Sequence, residues 1–156
     1  MRIDEGRIAE KIRFIKDNLA LVEQLGAYSE SEFTSDKVKF YAGVHALQIS
    51  IEAMLDILTH IVSRLHLGAP TDDRATLDTA RKHDLIGEDH LRRFIQMNKF
   101  RNKVVHGYLD VDAKQVYQTL RNDLGDFQLF FDDIRRVIEQ ERSKEKNGKA
   151  KKVNGK

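Results

Sequence analysis

The 156-residue chain contains no cysteine. That excludes disulfides, thiolate nucleophiles and cysteine zinc sites, and it is compatible with a reducing compartment. Proline occurs once, at Pro70. Because proline removes a backbone donor and clashes with the preceding turn, its scarcity leaves long segments free to be helical. No stretch approaches the ~18 uninterrupted apolar residues that read as a bilayer span. The opening Met1-Arg2-Ile3-Asp4-Glu5 is charged where a signal peptide would be apolar. No membrane association and a cytoplasmic location are therefore expected. A chain of this length, 40% hydrophobic and 33% charged, fits one globular domain with a real core.

There is also little net charge, +2 at pH 7, but it is unevenly placed. Residues 143–156 hold six lysines against one acid, Glu145, for a local charge of +5, which leaves −3 on residues 1–142. Bulk charge thus gives no argument for nucleic-acid binding, and any electrostatic case must be local. The sequence divides into a body over residues 1–142 and a basic tail over 143–156. With two glycines and almost nothing apolar, the tail is expected to be disordered.

Apolar residues recur at helical spacing. Ile8, Ile12, Ile15, Leu19 and Val22 form one stripe, predicting a helix over residues 5–25 stopped by Gly26. Thr34, Ser35 and Asp36 are capping candidates for a second helix reaching about residue 67, apolar around most of its circumference and so central. A shorter helix is expected over 75–83. Another begins near Glu88 and Asp89 and ends at His106, where Gly107 suits a left-handed cap. Asp112 and Gln115 read as a capping box for a last helix striped by Val116, Leu120, Leu124, Phe127, Phe131, Ile134 and Ile138. No alternating strand pattern and no repeat is present. The expectation is an all-α, up-and-down antiparallel four-helix bundle with one extra short helix.

Chemistry must lie in the polar exceptions. Tyr41, His45, Gln48, Glu52, Asp56 and His60 form one polar stripe on the central helix. One reading is a solvent-facing edge. The other is that Gln48 and Glu52 face the fourth helix and orient its arginine or histidine, since a buried carboxylate needs a partner. A di-iron or di-manganese bundle fails because Glu-x-x-His is absent, and no histidine pair has the spacing of a helical zinc site. No metal and no cofactor are expected.

The second exception is the end of the fourth helix, made basic by Arg92, Arg93, Lys99, Arg101 and Lys103. Asn102 and His106, four apart, share a helix face. Arg101 and His106, five apart, lie about 140° around the axis and converge only if the helix loosens at His106 or the arginine reaches around. A histidine moves protons near neutrality, and an arginine offers a fork of donors to phosphate oxygens. The same residues also suit an ordinary helix end, where cations favour the dipole.

Arg101-Asn102-x-x-x-His106-x-Tyr108 resembles the signature of the HEPN superfamily, and the tyrosine two positions after the histidine looks like its HepT branch. Tyr41-x-x-x-His45-Ala46-Leu47-Gln48 and Ile51-Glu52-Ala53-x-Leu55-Asp56-Ile57 are similar to that family's central helix. The likeness extends over residues 5–140 in the expected order.

The resemblance implies a HEPN-like homodimer with motifs facing a shared cleft. It implies the toxin of a toxin–antitoxin pair, a metal-independent endoribonuclease with RNA as substrate. His106 would be the acid–base group, Arg101 would stabilise charge on the scissile phosphate, and Asn102 would orient His106 or the phosphate. A partner minimal nucleotidyltransferase, the antitoxin, would transfer AMP to Tyr108 and silence cleavage. The alternative is a non-catalytic HEPN partner of a nucleotidyltransferase, binding nucleotide or substrate with the same residues. A structural interaction bundle is a third reading.

Overall fold

The computed structural model describes residues 2–107 and 111–155. Among them are seven helices and no strand: α1 (Glu5–Gly26), α2 (Glu30–Ser35), α3 (Lys37–Arg64), α4 (Asp73–Lys82), α5 (Leu91–His106), α6 (Ala113–Asn122) and α7 (Gly125–Asn154). The protein is all-α. Five of the helices start where a short polar side chain takes up free N–H groups of the first turn. Asp4 accepts from Arg7, Ser29 from Glu32, Asp36 from Val38 and Lys39, Asp72 from Ala75, and Asp112 from Lys114.

The core is built on α3, whose 28 residues include Val44, Leu47, Ile51, Met54, Leu58 and Ile61, all buried. It is long and apolar enough to cross a membrane by length and composition, but most of its apolar surface is covered by protein. Helix α1 lies antiparallel to it: Asp4 at one end meets His60, and Gly43 approaches Leu25 at the other. Helix α7 runs antiparallel to α1, with Lys16 over the Phe131 ring at 5.3 Å and Arg142 paired with Glu5. It is antiparallel to α5 as well, where Phe94 packs edge-on against Phe130 with centroids 5.8 Å apart. Helices α4 and α6 close the remaining sides of α3.

Several boundaries differ from the sequence reading. Helix α2 was not expected: six residues around a single buried Phe33 carry no periodic stripe. The expected last helix is two. Its apolar residues stay in phase, but Asn122 and Asp123, residues that favour leaving a helix, end α6, and the short-range bonds from Asp126 to Asp123 and Phe127 to Leu124 turn the chain into α7. The expected capping box is half made: Asp112 caps Lys114 rather than the residue after it. Gly107 ends α5 at φ −153°, outside the left-handed region, and its N–H closes a last turn onto the Lys103 carbonyl at 2.8 Å. Left-handed backbone appears instead after α3, at His66 (φ 54°), followed by Gly68 (φ 145°).

The segment expected to be a disordered tail continues α7 as helix to Asn154. Lysine, glutamate and alanine are good helix formers, and extending an existing helix carries no nucleation cost. This stretch contributes almost nothing to the core.

Candidate active site

Helix α5 buries Phe94, Asn98 and Val104 and so turns Arg101 and Asn102 toward the junction with α3 and α4. There Arg101 is held at three points. Its Nε donates to Glu52 Oε1 at 3.2 Å, and its Nη1 donates to Asp73 Oδ2 at 3.3 Å and to Asn102 Oδ1 at 3.1 Å. The Glu52 oxygen that meets Arg101 also accepts from Gln48 Nε2 at 3.1 Å. Three helices therefore converge on Arg101, whose side chain is only 25% exposed.

The donor inventory of this guanidinium is informative. Of its five N–H groups, one on Nε and two on Nη1 are taken, which leaves Nη2 without an acceptor among the described residues. The two N–H groups of Nη2 remain available to an acceptor such as a phosphate oxygen.

The polar stripe of α3 divides along its length. Gln48 and Glu52 turn onto α5, Asp56 pairs with Lys11 at 3.2 Å, and His60 Nε2 accepts the Asp4 N–H at 3.1 Å. Tyr41 and His45 are exposed.

His106 is the last residue of α5 and is exposed. Asn102 lies one turn before it on the same face, but its Oδ1 is turned to Arg101 rather than to the histidine. The helix is unbroken from Arg101 through His106, so the two lie about 140° apart around its axis. Among the described residues the hydrogen bonds of Arg101 go to Glu52, Asp73 and Asn102, and none goes to His106. Tyr108 lies outside the described residues. Asp73 was not foreseen: in Thr71-Asp72-Asp73-Arg74 one aspartate caps α4 and the next pairs with Arg101, a division that needs the fold to be seen. Among the described residues no three of the His, Asp and Glu side chains gather as ligands for a metal ion.

Comparison with known proteins places the chain in a family. The sequence model of the family described as Ribonuclease HepT-like matches residues 15–134, most of the chain. The chain belongs to the HepT-like ribonuclease family. It is 29% identical over 132 residues to a Shewanella oneidensis protein named mRNA nuclease HepT, covering 82% of this chain and 96% of that one. It is 23% identical over 118 residues to a tRNA nuclease HepT of Aphanizomenon flos-aquae, covering 76% and 74%. In structure it resembles a tri-AMPylated HEPN toxin of Shewanella oneidensis solved in complex with an MNT antitoxin, with a TM-score of 0.77, 28% identity, and coverage of 83% of this chain and 97% of that one. The stretch matched by the family model includes both Arg101 and His106.

Proposed function

We propose that this HepT-like protein is the toxin of a toxin–antitoxin pair and cleaves RNA internally, without a metal ion, until a partner nucleotidyltransferase silences it by transferring AMP to Tyr108. The observation that carries the reading is the Arg101 guanidinium, fixed by Glu52, Asp73 and Asn102 with its Nη2 edge open, on the helix that ends in exposed His106.

In the reaction, His106 takes the proton from a ribose 2′-hydroxyl as that oxygen bonds to phosphorus, and the bond from phosphorus to the 5′-oxygen breaks, giving a 2′,3′-cyclic phosphate and a 5′-hydroxyl whose proton comes from solvent. Arg101 stabilises the negative charge that grows on the phosphate oxygens between the two steps. Asn102, bound to the guanidinium through its oxygen, holds that fork in place and keeps its amide N–H groups for the phosphate. Because Arg101 and His106 leave the helix on different faces, the working site is shared: Arg101 of one protomer and His106 of a second copy face the same cleft. Val105, beside the histidine, is 44% exposed and offers apolar surface to such a contact.

Silencing follows from electrostatics. The tyrosine oxygen attacks the α-phosphorus of ATP, pyrophosphate leaves, and the hydroxyl proton goes to solvent or a base of the partner. Each AMP added places negative charge and bulk beside His106, where an RNA backbone must approach. The tri-AMPylated relative in complex with an antitoxin supports this part of the reading.

Cleavage of RNA in EDTA by the wild type, lost in both His106→Ala and Arg101→Ala, is the expected result. Undiminished cleavage by both variants would remove the assignment. A nucleotide-binding module would instead gain thermal stability with nucleotide and leave RNA whole.

A further inference from the structure

Arg101 carries two carboxylates where one would neutralise it. Glu52, supported by Gln48, already supplies a countercharge. A second carboxylate beside a site for a polyanion works against binding through like-charge repulsion, so Asp73 calls for a reason of its own.

The geometry gives one. A single hydrogen bond from Nε to Glu52 fixes one point of the guanidinium and leaves its far end free to swing. Asp73 and Asn102 take the two N–H groups of Nη1 at 3.3 and 3.1 Å and fix a second point, so the plane no longer turns. Asp73 stands on a rigid base for this. Asp72 caps the first turn of α4 at 2.7 Å from the Ala75 N–H, and Thr76, Leu77 and Ala80 bury the inner face of the helix. Arg74, its neighbour, is paired with Asp78 and does not compete.

We infer that Asp73 is a positioning residue for the proposed cleavage: from α4 it locks the plane of the Arg101 guanidinium so that the Nη2 edge faces the scissile phosphate. This rests on the ribonuclease reading above. Positional precision of this kind governs the catalytic step more than substrate affinity.

Three proteins decide it: wild type, Asp73→Ala, and Asp73→Asn, which keeps a carbonyl acceptor for Nη1 without the charge. In Asp73→Ala, kcat for RNA cleavage falls about tenfold or more while KM stays level or drops, since a negative charge has left the site. Asp73→Asn recovers most of kcat. The NMR signals of the Arg101 guanidinium report independently of activity: separate Nη1 and Nη2 resonances in wild type and Asp73→Asn, averaged by rotation in Asp73→Ala. A kcat for Asp73→Ala within twofold of wild type overturns the inference. So do equal losses in both variants that track a fall in melting temperature, because that is what a merely structural pair would give. Wild-type protein that cleaves no RNA removes the ribonuclease reading and this inference with it. A wild type whose cleavage depends on His106 and is matched by Asp73→Ala removes the inference alone.

Discussion

Arg101 presents five donors in one plane, and three of them meet three different acceptors. A lysine at that position is a point charge on a flexible stem and cannot satisfy Glu52, Asp73 and Asn102 while still facing a phosphate. Arg101→Lys is therefore expected to lower kcat by about 10²-fold while leaving the fold intact, as steady-state cleavage and circular dichroism would show. At this scale the sequence was legible where a residue broke a pattern. Glu52 stood out because a carboxylate on an apolar helix needs a partner, and its partner is the motif arginine. Asp73 did not stand out, because it sits in a polar turn where two adjacent aspartates look alike and only one of them caps. Asn102 and His106 share a face by spacing, yet the amide oxygen goes to the stronger, charged donor next to it.

The helices set where these side chains stand, and their boundaries follow local chemistry more than periodicity. The apolar stripe running from Val116 to Ile138 reads as one helix because it stays in phase across a break that apolar spacing does not mark. Two contacts outside the site hold the elements that carry it. At the junction of α1 and α3, His60 must be neutral to accept the Asp4 N–H. Burial, with Arg7 and Arg64 adding to it and Asp4 opposing, holds its pKa below the usual 6.5. The unfolded chain then binds the proton more readily, so this contribution is fully present above pH 6.5 and is lost as pH falls through the lower folded value. Thermal unfolding is expected to show a melting temperature that declines from pH 7 to 5, with a shallower decline in His60→Gln. At the start of α5, buried Asp133 of α7 meets His90 Nδ1 at 2.7 Å and accepts the Gly87 N–H at 3.2 Å. Asp133→Ala strands both groups and should cost about 2–3 kcal/mol of stability in chemical denaturation, without touching the residues proposed for cleavage.

At the scale of the whole molecule, the fold class was readable because nearly every apolar residue belongs to a helical stripe, while the site was only half readable from one chain. Arg101 and His106 sit on an unbroken helix about 140° apart, and no hydrogen bond joins them within the described residues. In the proposed twofold dimer Arg101 of each copy would face His106 of the other, because an isologous interface makes each contact twice. AMP transfer to Tyr108, two positions after His106 in the sequence, is the proposed silencing step. Intact-mass analysis after incubation with the partner nucleotidyltransferase and ATP is expected to show AMP adducts on the wild type and none on Tyr108→Phe. The central claim, a cleft completed by two chains, is tested most directly by measuring RNA cleavage in EDTA after Arg101→Ala and His106→Ala proteins are unfolded together and refolded as a mixture. In a mixed dimer one site has lost both groups and the other has regained both, so the account predicts recovery to about a quarter of wild-type activity from two inactive proteins. A mixture as inactive as each variant alone would contradict it.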